Sequence, residues 1–135
     1  MKLGELVWYC DEGDTAITLI HDSGSHDRVD FWEGSLFDLP DDYDDLAVKG
    51  FCPSEHGELM VRVVHPVLAE WSRTIDSYRD QWGADICTPI TVDRGVAHFT
   101  FDPDSASGYE MLIDLYTGQT SHKGFGQGCF WTDWE

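Results

Sequence analysis

One amphipathic segment, between Pro66 and Trp82, constrains the fold of this chain more than any other feature. Its large apolar side chains recur at alternating three- and four-residue spacing, the period of one face of an α-helix. Pro66 suits the first helical position, and Gly83 suits the position just past the end. The spacing predicts a helix over 66–82 that packs on a sheet, since about two heptads are too short for a coiled-coil seam. The apolar stripe consists of Leu68, Trp71, Ile75, Tyr78 and Trp82.

Short strand-like segments lie on both sides of this helix. They alternate apolar with polar side chains or are rich in β-branched residues, as half-buried strands are. Between the fifth and sixth of them, Asp93-Arg94-Gly95 is typical of a tight hairpin turn. The pattern predicts an α+β fold in which the main helix packs on an antiparallel sheet. The predicted strands are residues 15–20, 29–32, 46–51, 59–64, 90–92, 96–101 and 109–116.

The length of 135 residues suits one compact domain over 1–135. We expect two sub-lobes within it, a small acidic β-rich N-terminal lobe over 1–65 and a lobe of the helix plus antiparallel strands over 66–135. In the first lobe, residues 34–45 are predicted to form a turn or short helix. We expect its apolar anchors to be Leu36, Phe37 and Leu39.

The net charge of the chain limits the classes of molecule that it can bind. The chain has 26 acidic and 8 basic side chains, a formal net charge of -18, and 41% of its residues are hydrophobic. That apolar fraction is enough to build a core, so wholesale disorder is not expected. Binding to nucleic acid is not expected, because neutralising phosphates requires Lys and Arg. Anionic membrane surfaces are disfavoured for the same reason.

The sequence favours a cytoplasmic protein. No apolar run approaches the roughly 20 residues of a membrane span, and the first residues lack the apolar stretch of a signal peptide. The four cysteines are far apart and form no CxxC pair, which favours reduced thiols in a cytoplasm. A secreted domain with two disulfides is the alternative, and three pairings are then available. The cysteines are Cys10, Cys52, Cys87 and Cys129.

Two imidazoles and two carboxylates come together in the segment from His21 to Asp27. This HDxxxHD pattern offers ligands for a divalent metal, so a small metal-binding protein or enzyme is one alternative function. The spacing matches no strong zinc signature, however, and the intervening Ser-Gly-Ser is typical of a solvated polar loop. We therefore predict no metal, no cofactor and no catalytic residue. The cluster consists of His21, Asp22, His26 and Asp27.

A second cluster is purely acidic and lies between residues 38 and 45. It lacks the spacing of an EF-hand calcium loop. In the whole chain 18 of the 26 acidic residues are Asp, and carboxylates on such short stems are rigidly placed. A surface of this kind imitates an array of phosphates and attracts the basic groove of another protein. The predicted contact residues are Asp38, Asp41, Asp42, Asp44 and Asp45, with Tyr43 as an aromatic anchor.

Residues 2–64 resemble the short acidic accessory proteins of phages and mobile elements. The pieces that match are MKLGEL, EGDTAITLI, FWEGSLFDLPDDYDDLAVKG and GELMVRVV. The resemblance implies a small phage protein, a class that includes inhibitors of the anti-CRISPR and anti-restriction types. It assigns a role to no individual residue of this chain.

These observations predict a non-enzymatic acidic protein in the cytoplasm of a host cell. It would bind and inhibit a host nucleic-acid-binding defence protein, such as a nuclease or defence complex, by acting as a DNA mimic. A toxin-immunity protein is the alternative of the same class, and charge that serves only solubility or salt adaptation is another. The contact face could instead be the aromatic C-terminus, with Phe125, Phe130, Trp131 and Trp134.

Overall fold

The computed structural model describes residues 1–9, 15–22, 28–53, 58–126 and 128–135, apart from the side chains of residues 7–9, 52 and 53. It shows the predicted α+β fold, with two four-stranded sheets and one main helix. No helix in these ranges is long and apolar enough to span a bilayer. The elements are α1 (Leu3–Tyr9), β1 (Ala16–His21), β2 (Val29–Ser35), 3₁₀ turns at Leu36–Asp38 and Asp41–Tyr43, β3 (Ala47–Pro53), β4 (Leu59–Val64), α2 (Pro66–Trp82), β5 (Thr91–Asp93), β6 (Val96–Phe101), β7 (Tyr109–Asp114) and β8 (Thr120–Gly124).

The chain divides into two compact units, Met1–Ala69 and Glu70–Glu135. The boundary lies inside α2, a few residues past the predicted one at 65/66. The first unit carries 15 acidic and 4 basic residues and the second carries 11 and 4. The excess of acidic over basic residues is therefore larger in the first unit, which also contains the acidic cluster of residues 38–45.

The sheet of the first unit, the lobe predicted only to be β-rich, is mixed. Its strand order is β2-β1-β4-β3. β1 and β2 form the predicted antiparallel hairpin and β3 pairs antiparallel with β4, but β1 and β4 run parallel. Alternation of apolar side chains indicates which face is buried, not the direction of the neighbouring strand. Strands β1 and β4 contribute four fully buried apolar side chains to this unit's core: Ile17, Leu19, Val61 and Val63.

The sheet of the second unit is an antiparallel meander of β5, β6, β7 and β8. The predicted hairpin turn is confirmed, since Asp93 pairs with Val96 across a two-residue loop. Arg94 and Gly95 have φ angles of 52° and 78°, the left-handed pair of a type I′ turn. The last strand, β8, was not predicted, because its sequence is polar and only five residues long.

The C-terminal residues lie along β8 and add backbone bonds to it. Thr120 and Glu135 exchange two N–H···O=C bonds, of 3.3 and 3.1 Å. The N–H of Thr132 donates to the carbonyl of His122 at 3.0 Å, and the hydroxyl of Ser121 donates to the carbonyl of Thr132 at 2.6 Å. The tail therefore covers part of what would otherwise be a bare strand edge.

The main helix spans Pro66–Trp82, as predicted. In the second unit its side chains pack on the sheet: the Trp71 ring lies 5.7 Å from that of Phe99, and the Tyr78 ring lies 5.1 Å from that of Phe101. Its predicted stripe is wrong at the last position, because Trp82 is 60% exposed. Trp82 is the final helical residue and lies one turn beyond the Tyr78 contact.

Candidate functional site

The acidic segment, residues 38–45, is built on the two 3₁₀ turns of the first unit. The N–H of Leu39 donates to the carbonyl of Leu36 at 3.3 Å, which closes the first turn. The N–H of Tyr43 donates to Pro40 at 3.0 Å and that of Asp44 to Asp41 at 3.1 Å, which closes the second. These bonds fix the backbone from which the carboxylates project.

Pairs of side chains three residues apart point inward from this stretch. In a 3₁₀ turn residues i and i+3 lie on the same side. The buried Leu36 and the half-buried Leu39 form one such pair, and the buried Tyr43 and Leu46 form another, with a step of four residues from Leu39 to Tyr43. The intervening carboxylates are all exposed, as the sequence predicts: Asp38, Asp41, Asp42, Asp44 and Asp45.

The two aromatic residues of this stretch exchange the roles predicted for them. Tyr43 was predicted to be an exposed contact residue, but it is only 2% exposed. Phe37 was predicted to anchor the segment, but it is 81% exposed. The correction has a physical reason that lies in each turn separately. The first turn places Leu36 and Leu39 inward and leaves Phe37 outside, whereas the second places Tyr43 inward together with Leu46. Leu36 takes the anchoring position next to Phe37.

Tyr43 holds the acidic segment to the core through a cluster of three rings. Its ring lies 5.4 Å from that of Phe31 and 5.6 Å from that of His65, both edge to face. Phe31 and His65 are themselves 5.2 Å apart in the same geometry. Such pairs add to the free energy gained by burial. Tyr43 therefore supports the site from inside and drops out of the predicted contact set.

Helix α1 holds the other side of the acidic segment. The N–H of Gly4 donates to the carbonyl of Asp44, and that of Leu3 donates to Leu46, both at 2.8 Å. Lys2 forms an exposed ion pair of 3.5 Å with Asp45, of a kind that contributes little to stability. The segment is thus attached to the rest of the unit by backbone bonds rather than by its charges.

A groove of about 550 Å³ opens between α1 and the two 3₁₀ turns. Both apolar and acidic side chains line it, together with one lysine. The lining residues are Lys2, Gly4, Glu5, Leu36, Phe37, Leu39, Asp41, Asp44 and Asp45. The groove and the acidic segment therefore share three of their carboxylates, those of Asp41, Asp44 and Asp45.

The polar loop predicted from His21 to Asp27 does not include His21. His21 is the last residue of β1 and is 2% exposed. Its Nδ1 accepts the backbone N–H of His65 at 3.1 Å, and burial lowers the pKa of His21 against the opposing effect of Asp22. His26 and Asp27 lie outside the described residues. Among those that are described, no three His, Cys, Asp or Glu side chains are grouped for a metal.

Sequence reasoning missed His65, which lies directly before α2. It is buried, and its Nδ1 accepts the N–H of Val67 at 3.3 Å. It thereby caps one of the free donors of the first helical turn. The signal for this role is its position before Pro66, where a side-chain acceptor is expected.

Two of the cysteines have described side chains, and both are free thiols. Cys87 is buried, which raises the pKa of its thiol despite the nearby Arg79. Cys129 is exposed. Cys10 and the side chain of Cys52 lie outside the described part of the chain, so the pairing alternatives for those two stay open.

A second exposed surface lies in the other unit. The aromatic side chains of the C-terminal segment are held there by the backbone bonds of the tail to β8, and they remain accessible to solvent. They are Phe125, Phe130, Trp131 and Trp134. The alternative contact face predicted from the sequence is therefore also exposed.

Comparison with protein-family models, with curated proteins and with solved structures finds no match to this chain. The resemblance to acidic phage accessory proteins therefore stays a prediction.

Proposed function

We propose that this chain is a non-catalytic, cytoplasmic phage or mobile-element protein that acts by binding another protein. Its partner is a basic, nucleic-acid-binding host protein, a nuclease or defence complex, and the acidic segment occupies the surface that would bind DNA. Inhibition follows because the partner cannot hold its nucleic acid and this protein at once. No catalytic residue is required for that effect.

One observation carries the proposal. Within eight residues, 38–45, five carboxylates are exposed, and the segment contains no basic residue. Its backbone is closed into two turns and attached to α1 and to the ring cluster, so the charges are presented by an ordered frame. Preorganised charges of one sign raise the association rate with a surface of the opposite sign.

Capture of a partner tests the proposal. Immobilised protein is incubated with host lysate at low salt, and the bound protein is identified and then eluted with duplex DNA. We expect a nucleic-acid-binding protein that both DNA and high salt release, because its basic surface is what the carboxylates occupy. A partner that DNA does not displace would contradict the proposal.

Charge reversal locates the contact. Asp41→Lys with Asp44→Lys should lower the association rate by at least an order of magnitude. The matched control is Asp80→Lys with Asp85→Lys, which makes the same change of charge at exposed positions of the second unit. Equal effects of the two double variants would show that only net charge matters, and would remove the acidic segment from the account.

A further inference from the structure

We infer that the groove beside the acidic segment binds an extended, Lys- and Arg-rich segment of the partner and takes one apolar side chain from it. This inference rests on the proposed function and specifies the partner's chemistry at the same site. In this inference Phe37 is the exposed aromatic residue that contacts the partner, the role that the sequence predicted for Tyr43.

The apolar part of the groove carries the first half of the inference. Phe37 is 81% exposed at the rim, while the neighbouring Leu36 is buried and Leu39 is half-buried. A single exposed apolar residue is ordinary on a protein surface. Here, however, the ring borders a concave space of about 550 Å³, and aromatic residues next to such pockets dominate the binding energy of many interfaces.

Charge complementarity decides which occupant fits. Four carboxylates line the groove against a single lysine, Lys2, whose ammonium group already pairs with Asp45. An acidic or neutral peptide would leave these carboxylates without compensation, whereas Lys and Arg side chains would pair with them. An Arg side chain can also stack on the face of Phe37. The four carboxylates belong to Glu5, Asp41, Asp44 and Asp45.

Gly4 permits the close approach of α1 to the acidic segment beside the groove. A Cβ added at Gly4 would lie 3.2 Å from both the Cβ and the carbonyl oxygen of Asp44. The absence of a side chain at Gly4 therefore lets α1 approach the acidic segment closely. Glu5 of α1 and Phe37 of the first turn both line the resulting groove.

The probes are two short synthetic peptides of equal charge, in which lysines alternate either with leucine or with serine. Fluorescence anisotropy at low salt gives both dissociation constants. We expect the leucine peptide to bind about tenfold more tightly, since partial burial of one Leu side chain supplies that ratio. Phe37→Ser should reduce the ratio to about one to two. Phe51→Ser, at an exposed Phe of the same unit outside the groove, should leave it unchanged.

The outcomes separate this inference from the proposed function. Asp41→Asn with Asp44→Asn should weaken both peptides and preserve their ratio. Equal binding of the two peptides to the unaltered protein, or a ratio that Phe37→Ser does not change, would overturn the inference and leave the proposed function standing. If neither peptide binds at low salt, the acidic segment has no affinity for basic peptides, and both this inference and the proposed function are wrong.

Discussion

The backbone N–H of His65 donates a hydrogen bond to Nδ1 of His21 at 3.1 Å, in the buried core of the first unit. His21 is therefore neutral there, with its proton on Nε2. That Nε2 is buried and has no hydrogen-bond partner among the described residues. Burial disfavours a charge on this ring and lowers the pKa of His21, against the opposing effect of Asp22. Protonation at Nδ1 would also break the bond to His65.

This pair makes the stability of the first unit depend on pH. Because the pKa of His21 is lower in the folded state than its ordinary 6.5, the unfolded chain binds more protons below that pH. The free energy of unfolding should therefore fall as the pH decreases from about 6.5 towards the folded-state pKa. The protection factor of the His65 amide against hydrogen exchange, measured by NMR, should fall over the same interval.

Two variants test the assignment to His21. His21→Asn keeps a side-chain acceptor for the His65 N–H and cannot be protonated, so it should flatten the pH dependence. His122→Asn, at an exposed position, should retain it. A pH dependence that survives in His21→Asn would assign the effect to another group.

Truncation at Tyr43 should destabilise the protein far more than truncation at Phe37. Tyr43→Ala removes a buried ring from the cluster with Phe31 and His65 and should cost about 3–5 kcal/mol. Phe37→Ala removes an exposed ring and should change the free energy of unfolding by no more than about 0.5 kcal/mol. Urea unfolding of both variants measures the difference. Similar losses at the two positions would contradict the observed exchange of roles.

Two residues of α2 in the second unit, Ile75 and Trp82, allow the same comparison of a buried with an exposed side chain. Ile75→Ala removes a buried apolar side chain from α2 and should cost about 2–5 kcal/mol. Trp82→Ala removes an exposed ring and should cost little, although Trp82 belongs to the same sequence stripe. Thermal unfolding of the two variants distinguishes them, and a larger loss at Trp82 would show that its ring is covered in solution.

Tyr109 provides a test at high pH. Its burial, reinforced by the neighbouring Tyr78, raises the pKa of Tyr109 to about 12. Since the unfolded chain loses this proton near 10, stability should fall as the pH rises between those two values. Tyr78→Phe should move the ionisation of Tyr109 back towards 10, as read from the ultraviolet absorbance of tyrosinate. No change in that titration would contradict the coupling.

The sequence predicts the secondary structure well where apolar side chains recur at regular spacing or where turn residues mark a boundary. The bounds of α2 follow from its apolar spacing with Pro66 and Gly83, and the hairpin turn follows from Asp93-Arg94-Gly95. The parallel pairing of β1 with β4 could not be predicted, because strand direction depends on contacts that are distant in sequence.

The candidate site was predicted in part. Exposure of the five Asp side chains follows from their chemistry, since ionised carboxylates are costly to bury. Which aromatic ring faces inward depends on the phase of the 3₁₀ turns, and the sequence does not fix that phase. The polar composition of residues 21–27 predicts a loop that begins at His21, whereas strand β1 continues through His21.

The salt dependence of association with the captured partner is the decisive measurement of binding through the acidic segment. We predict that the association rate constant of the unaltered protein falls steeply as ionic strength rises, while the dissociation rate constant changes little. The Asp41→Lys, Asp44→Lys protein should show a much shallower slope. An association rate that is insensitive to salt in the unaltered protein would contradict binding through the acidic segment.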